Sequence, residues 1–531
     1  MTAKVLMVQG TGSSAGKSLL VTALCRILRQ EGWRVAPFKA QNMALNASIA
    51  REGGEIGRAQ AVQAEAAGVE PSVDMNPVLL KPEADHRSQV VVLGRALRSA
   101  TAREYYTLRD ELWPVVTGAL DRLRAAYDIV VIEGAGSPAE VNLRRQEMTN
   151  MSVARYARAP VLLVGDIDRG GVFAALVGTL ELLEPDDRSL VRGLVINKFR
   201  GDMSILEEGL RFLETRTGLP VLGVVPYVRD LHIAEEDSVA LDARPSTEGR
   251  ASLDIDIAVV RLPRISNFDD FSPLEREGAR VRYVESPSEL GRPDLVVLPG
   301  TKTTMSDLAH LRRSGLADAV VALARSGTYV LGICGGFQML GREVRDPGHV
   351  ESEQERADGL GLLPVVTTFA GEKVTRRVRG RVASPLGLLA DAAGPAGARA
   401  GATFHGYEIH MGRTEFEAAH GELVEPSGKA VEGRAPFVVT ERGGEPCDER
   451  DGAADASGQV IGTYVHGLFE SAALRQAVLR RLAARKGVAY TPSLDSRDAD
   501  YDRLAEVVRE SLDMVAVRRI AGLEARSGDG G

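Results

Sequence analysis

From Lys4 to Gly10 the chain is apolar at most positions and ends on glycine, and from Lys17 to Glu31 apolar residues recur at helical spacing (Leu20, Leu24, Ile27, Leu28). The first pattern predicts a strand buried on both faces, the second an amphipathic helix. Arg34–Lys39 predicts the next strand. Near-continuous Val/Ile/Leu runs follow at Asp128–Glu133, Pro160–Asp166, Gly193–Lys198 and Pro220–Pro226, with helical stretches such as Gly171–Leu183 and Ser204–Thr217 between them. Strands of this kind alternating with helices predict a doubly wound α/β fold on a parallel sheet.

Between Ser238 and Ser252 the periodicity stops and the chain turns polar, with Pro and Gly. This reads as a linker. A second α/β series begins beyond it, at Ile255–Leu262, Val281–Val284, Leu295–Pro299 and Tyr329–Ile333. The expected organisation is a first domain over 1–237, a linker over 238–252, a second domain over 253–485, and a helical segment with a disordered tail over 486–531. Residues 390–402 and 442–458 are rich in Ala and Gly and read as exposed loops or insertions.

A chain of 531 residues suits more than one domain. Its net charge of −8 argues against a general nucleic-acid or anionic-membrane surface, although a local basic pocket remains compatible with it. Three cysteines, Cys25, Cys334 and Cys447, cannot build a disulfide scaffold and suit a reducing, cytoplasmic setting. No apolar run long enough to span a membrane occurs, and no signal-peptide pattern opens the chain.

Chemistry enters at the first strand end. Gly10-Thr-Gly-Ser-Ser-Ala-Gly-Lys17-Ser18 lies between a predicted strand and helix. Such a loop cradles phosphate with its backbone N–H groups, while the lysine reaches the β- and γ-phosphates and the hydroxyl binds Mg²⁺. Gly12 and Gly16 keep it flexible, but the spacing is a variant of the common G-x-x-x-x-G-K-[ST] pattern. Glu133, at the end of the Asp128–Glu133 run, is a candidate Mg²⁺ ligand beside Ser18. Lys39, at another strand end, could neutralise a transferring phosphoryl group. Asp166 and Asp168 follow a further strand, Asp166 being a candidate substrate contact. Lys81, Arg144, Arg145, Lys198 and Arg200 are candidates to line the strand-end crevice around an anionic substrate.

Tyr329-Val-Leu-Gly-Ile-Cys334-Gly-Gly has the form of a nucleophile elbow with Cys in place of Ser. A following helix would favour the thiolate. Gly335 and the Leu298-Pro-Gly300-Thr301 turn could supply oxyanion donors. Of eight histidines, two sit in shaped contexts: His466, ending an apolar run, and His410, in an alternating one. His466 is favoured as the base. Cys25 reads as a core residue and Cys447 as incidental.

The Cys334 and His466 contexts resemble class I glutamine amidotransferases, in which Cys attacks the glutamine carboxamide and ammonia is released. That family places a Glu two residues after the His; here the position is Leu468. The first half resembles dethiobiotin synthetase-like ATPases, which activate carboxylates by phosphorylation. Together with Phe38-Lys-Ala-Gln-Asn-Met-Ala-Leu-Asn46, Asp168-Arg-Gly-Gly-Val-Phe-Ala174, Asn197-Lys-Phe-Arg-Gly-Asp202 and Gly406-Tyr-Glu-Ile-His-Met-Gly-Arg-Thr414, their fusion resembles the corrinoid amidases, most closely the cobyric acid synthase family. The resemblance implies ATP, Mg²⁺ and glutamine as co-reactants, ATP bound by Gly12, Gly16, Lys17, Ser18, Lys39 and Asn197, and a corrinoid substrate that brings its own cobalt. It implies amidation of the b, d, e and g carboxylates of adenosylcobyrinic acid a,c-diamide. No nucleic-acid or membrane partner is expected, and a homo-oligomer is compatible. Two alternatives stand beside it: a cobyrinic acid a,c-diamide synthase, and an ATP-switch regulatory protein with an inactive amidotransferase-like domain.

Overall fold

In the computed structural model, the runs of β-branched and leucine residues become strands because both their faces are covered. The structure describes residues 2–84, 86–229, 231, 233, 253–392, 401–417, 423–424, 434–493 and 497–524. The expected linker over 238–252, most of 390–402 and the last seven residues lie outside the described residues. Two units form: Met1–Ala44 with Ala50–Ala234 and Ser496–Gly531, and Leu45–Ile49 with Glu235–Asp495.

The first unit holds six parallel strands: β1 (Lys4–Gly10), β2 (Val35–Phe38), β3 (Ile129–Glu133), β4 (Val161–Asp166), β5 (Val191–Phe199) and β6 (Val221–Pro226). Their order is β6-β5-β4-β1-β3-β2. Alternate residues serve opposite cores. Val5, Met7, Val130, Ile132, Val161 and Leu163 pack on one face, and Leu6, Val8, Ile129, Val131, Leu162 and Val164 on the other. A strand buried on both faces has no polar side to alternate with, which is why these segments read as continuous apolar runs. The order reverses at β1, so the crevice at its carboxyl end is where an open α/β sheet takes ligands. Helix α1 (Lys17–Gln30) starts there, and α2 (Arg58–Ala67) packs beside it.

The helix Arg497–Ser511, late in the chain, also belongs to this unit. Tyr501, Leu504, Ala505 and Val508 share a core with Leu24, Cys25 and Leu28 of α1. Arg26 donates to Asp498 and Asp502, and Arg497 and Tyr501 both donate to Glu65 on α2.

In the second unit, β7 (Asp256–Val260), β8 (Arg280–Val284), β9 (Leu295–Leu298) and β10 (Tyr329–Ile333) are parallel. So is a later strand, Val460–Thr463, which pairs β10. The order is β8-β7-β9-β10, then Val460–Thr463, then an antiparallel Ala453–Ala454 edge. A second, mainly antiparallel sheet is built on the long strands Val365–Val382 and Thr403–Glu417. The stretch over 442–458, expected as an exposed loop, is instead largely structured. Phe437–Arg442 pairs Glu445–Asp451, and Asp451 and Ala453 are buried. Its glycines make the hairpin turn, with Gly443 and Gly444 at φ of +61° and +89°.

Candidate functional site

In the first unit the loop after β1 closes around Lys17. The Lys17 Nζ donates to the carbonyls of Gly12 at 2.9 Å and Gly136 at 3.2 Å. Gly16 ends the loop at φ +90°, and a Cβ there would lie 2.0 Å from Asn197 Nδ2. Glycine is thus required by conformation and by space. Asn197 itself donates to the Ala15 carbonyl at 2.9 Å and so braces the loop from β5.

Glu133 stands at the centre of this site, 1 % exposed at the end of β3. The Ser18 hydroxyl donates to its Oε1 at 2.8 Å, and the Lys39 ammonium lies 3.0 Å away. Burial alone would raise the Glu133 carboxyl, but Lys39, Gln63 and Lys17 outweigh it and hold the group below its ordinary value. The structure therefore brings together Lys17, Ser18, Lys39, Glu133 and Asn197. A hard divalent cation takes oxygen ligands such as the Ser18 hydroxyl and the Glu133 carboxylate, and two ammonium groups beside them suit a polyphosphate. Gln63 is a participant that sequence reasoning missed: from α2 it donates to Glu133 Oε2 at 2.5 Å. Nothing in its Ala-rich helix marks it out before the helix is packed.

The proposed substrate contacts fare differently. Asp166 does lie at a strand end, where it accepts from Lys198 Nζ at 2.9 Å and from the Asp168 amide. Lys81, however, is buried against Glu55 at 2.7 Å, so its charge is neutralised inside the fold. Arg144 is engaged on the surface by Glu184 and by the Leu182 carbonyl. Arg200 pairs with Asp168 and covers the Tyr227 ring at 3.7 Å.

In the second unit Cys334 follows β10 at φ +53°, a conformation rare for a residue with a side chain. The turn is held because its amide donates to the Thr463 carbonyl at 2.8 Å. It is tight enough that a Cβ on Gly336 would meet the Leu298 carbonyl oxygen at 1.9 Å. The Cys334 Sγ lies 3.4 Å from the Ile409 carbonyl. A Cβ on Gly335 would lie 3.3 Å from the Thr301 amide nitrogen, so the elbow and the Gly300–Thr301 turn adjoin.

His466 meets this elbow. A Cβ on Gly300 would touch its Cε1 at 2.8 Å, and the Cys334 thiol is among the groups that raise its imidazole. The Leu468 side chain, at the usual Glu position, is buried in the core. The carboxylate beside His466 is instead Asp270, on a short turn of 3-10 helix at Phe268–Phe271. Asp270 Oδ2 lies 2.7 Å from His466 Nδ1, and Oδ1 accepts the Gly467 amide at 2.9 Å. Burial would lower the imidazole, but Asp270 and then Cys334 raise it to about 10. Asp270 precedes Cys334 in the chain rather than following His466. The available signal was a pair of acids, Asp269-Asp270, enclosed by Phe268 and Phe271.

His410 lies one residue from the carbonyl that Cys334 touches. It stacks on Tyr464 at 3.8 Å, and burial pushes it down to about 3. It remains neutral and lacks the carboxylate that makes His466 basic. Gln338, another unforeseen participant, accepts from Thr304 Oγ1 and donates to the Met411 carbonyl. Cys25 is wholly buried, where burial and Glu133 push its thiol far up. Cys447 donates to the Val439 carbonyl, away from this chemistry.

Among the described residues no helix is long and apolar enough to cross a membrane. Residues 6–240 match the family model of the CobQ/CobB/MinD/ParA nucleotide binding domain, and residues 256–474 that of the CobB/CobQ-like glutamine amidotransferase domain. The chain is 56% identical over 535 residues to the cobyric acid synthase of Sorangium cellulosum, covering 99% of this chain and 100% of that one. It is 53% identical over 519 residues to that of Dehalococcoides mccartyi strain CBDB1, covering 98% and 99%. The Moorella thermoacetica cobyric acid synthase is 50% identical over 528 residues, with 98% of each chain covered.

Proposed function

The chain belongs to the cobyric acid synthase family, and from that premise we propose how its residues divide the reaction. It is a glutamine-dependent ligase of cobalamin biosynthesis, with an ATP-binding P-loop domain and a glutamine amidotransferase domain. Neither the a,c-diamide synthase nor the ATP-switch alternative is favoured by full-length relatives that carry one name.

We assign the synthetase reaction to residues 1–237 and glutamine hydrolysis to 253–485. The substrate is adenosylcobyrinic acid a,c-diamide, amidated at its b, d, e and g carboxylates with one ATP and one glutamine at each. A carboxylate is a poor electrophile. Its oxygen attacks the γ-phosphorus of ATP, ADP departs, and an acyl phosphate results. Ammonia then attacks the acyl carbon and phosphate leaves. Lys17 and Lys39 offset the charge that gathers on the phosphoryl oxygens. Ser18 and Glu133 would hold Mg²⁺, which when bound neutralises phosphate charge.

Ammonia comes from glutamine, released at Cys334. The Cys334 sulfur attacks the carboxamide carbon of glutamine while the proton of the Cys334–His466 pair rests on His466 Nε2, the nitrogen that Asp270 leaves available. The oxyanion faces the Gly335 and Gly300 turns. His466 returns the proton to the departing amine, and water hydrolyses the glutamyl thioester. The Asp270–His466–Cys334 arrangement is the observation that carries this reading. In the test, Cys334→Ala abolishes glutamate release from glutamine but amidates the corrinoid with free ammonium. Loss of both activities, or survival of glutamate release, would overturn the assignment.

A further inference from the structure

The carboxylate that orients His466 stands on a turn that is itself held from outside. Asn267 opens that turn at φ +53° and ψ +41°, in the left-handed region that Asn enters more readily than most residues. Two reciprocal hydrogen bonds hold it there. The Asn267 amide donates to Asn46 Oδ1 at 2.7 Å, and the Ala47 amide donates to Asn267 Oδ1 at 2.9 Å. Asn46 is 1 % exposed and Asn267 4 %, so water does not replace either bond. The segment Leu45–Ile49 that supplies these groups clusters with the second unit and is anchored at its other end, where Arg377 Nε donates to the Ile49 carbonyl at 3.1 Å.

Asn267 is the corner between two pieces of the glutaminase site. On one side, the Ser266 amide donates to the Gly300 carbonyl at 2.8 Å, and the Arg264 carbonyl accepts from Thr301 Oγ1 and from the Lys302 amide. On the other, the Asp270 amide donates to the Asn267 carbonyl at 3.1 Å, closing the turn from which Asp270 reaches His466. A corner that swings moves the oxyanion turn and the carboxylate relative to each other. Misplacement of about 1 Å costs a catalytic site on the order of 10²-fold.

We propose that Asn46 is a positioning residue of the glutaminase reaction: through Asn267 it fixes the angle at which Asp270 presents to His466. It touches neither glutamine nor the thiol. The proposal rests on the assignment of Cys334, His466 and Asp270 given above.

The test uses the full chain and reads glutamate release, ammonium-dependent amidation and thermal melting in parallel. Asn46→Ala is expected to lower kcat for glutamate release about 10- to 100-fold, with KM for glutamine within twofold and ammonium-dependent amidation unchanged. Asn46→Asp, which keeps the acceptor oxygen, restores kcat to within about threefold of the native chain. Asn267→Gly and Asn267→Asp both tolerate positive φ; the first loses the acceptor for Ala47 and falls, the second keeps it and does not. In an Asp270→Asn background, Asn46→Ala adds no further loss, because residues acting as one unit are not additive. The proposal is overturned by native-like kcat in Asn46→Ala, by an equal fall in both activities, or by multiplicative loss in the double variant. Glutamate release that survives Cys334→Ala overturns the site assignment itself; in its absence, any of the other results overturns only the role of Asn46.

Discussion

Replacing Asp270 by Asn preserves its size and removes the charge on which His466 depends. In the native site the carboxylate makes two buried contacts, to His466 Nδ1 at 2.7 Å and to the Gly467 amide at 2.9 Å. A hydrogen bond to a charged group contributes about 1.5–3 kcal/mol. At about 1.4 kcal/mol per decade of rate, loss of that interaction alone slows glutamine hydrolysis roughly 10- to 150-fold. An asparagine amide can also donate to Nδ1, which moves the imidazole proton to Nε2 and turns the acceptor away from the thiol. The same exchange in a Ser-His-Asp triad lowers kcat by about 10⁴. The expected loss of glutamate release is therefore about 10²- to 10⁴-fold, with ammonium-dependent amidation intact. Retention within about threefold, or parallel loss of both activities, refutes the argument.

Stability supplies a second readout with a definite sign. His466 is raised from 6.5 to about 10 in the fold. A group raised on folding stabilises in full below its unfolded value and loses that contribution as pH climbs through its folded value. The melting-temperature gap between the native chain and Asp270→Asn is thus widest near pH 6 and narrows toward pH 10. A gap that widens with pH contradicts the pairing.

Glu133→Gln removes the carboxylate that receives Ser18 and Gln63 and pairs with the buried Lys39. Amidation is expected to fall at least about 100-fold with glutamine and with ammonium alike, as loss of phosphoryl-transfer electrostatics demands; a defect confined to glutamine is the contrary result. Lys81→Ala breaks the buried pair with Glu55, and breaking such a pair from one side costs about 3–5 kcal/mol. It should therefore lower the melting temperature while leaving the corrinoid KM unchanged. A raised KM with native melting would return Lys81 to the substrate crevice.

Much of this protein was legible in its sequence because certain residue types allow few conformations. Val/Ile/Leu runs buried on two faces announce a parallel sheet, and Gly16-Lys17-Ser18 after such a run announces phosphate. Glycines on both sides of Cys334 permit an elbow that no other residues could form. Asn197, Glu133 and Lys39 could be nominated because strand ends in this architecture converge on one edge. What the chain order concealed were contacts between positions far apart in it. Asp270 serves His466 across 196 residues, and a local search for the missing acid ended at Leu468. Gln63 reaches Glu133 only once α2 packs beside α1. The helix at Arg497–Ser511, distant in the chain, covers α1 because α1 has an apolar flank to bury and Arg26 to pair.

The sequence shows which residues are ionised but not whom they meet: Lys81 pairs with Glu55 and Arg144 with Glu184. Local patterning thus determined the secondary elements and the reactive groups, because strand period, helix period and turn sterics act over a few residues. The partners of those groups were decided by tertiary structure alone, because a hydrogen bond or ion pair depends on a distance in space that separation along the chain does not encode.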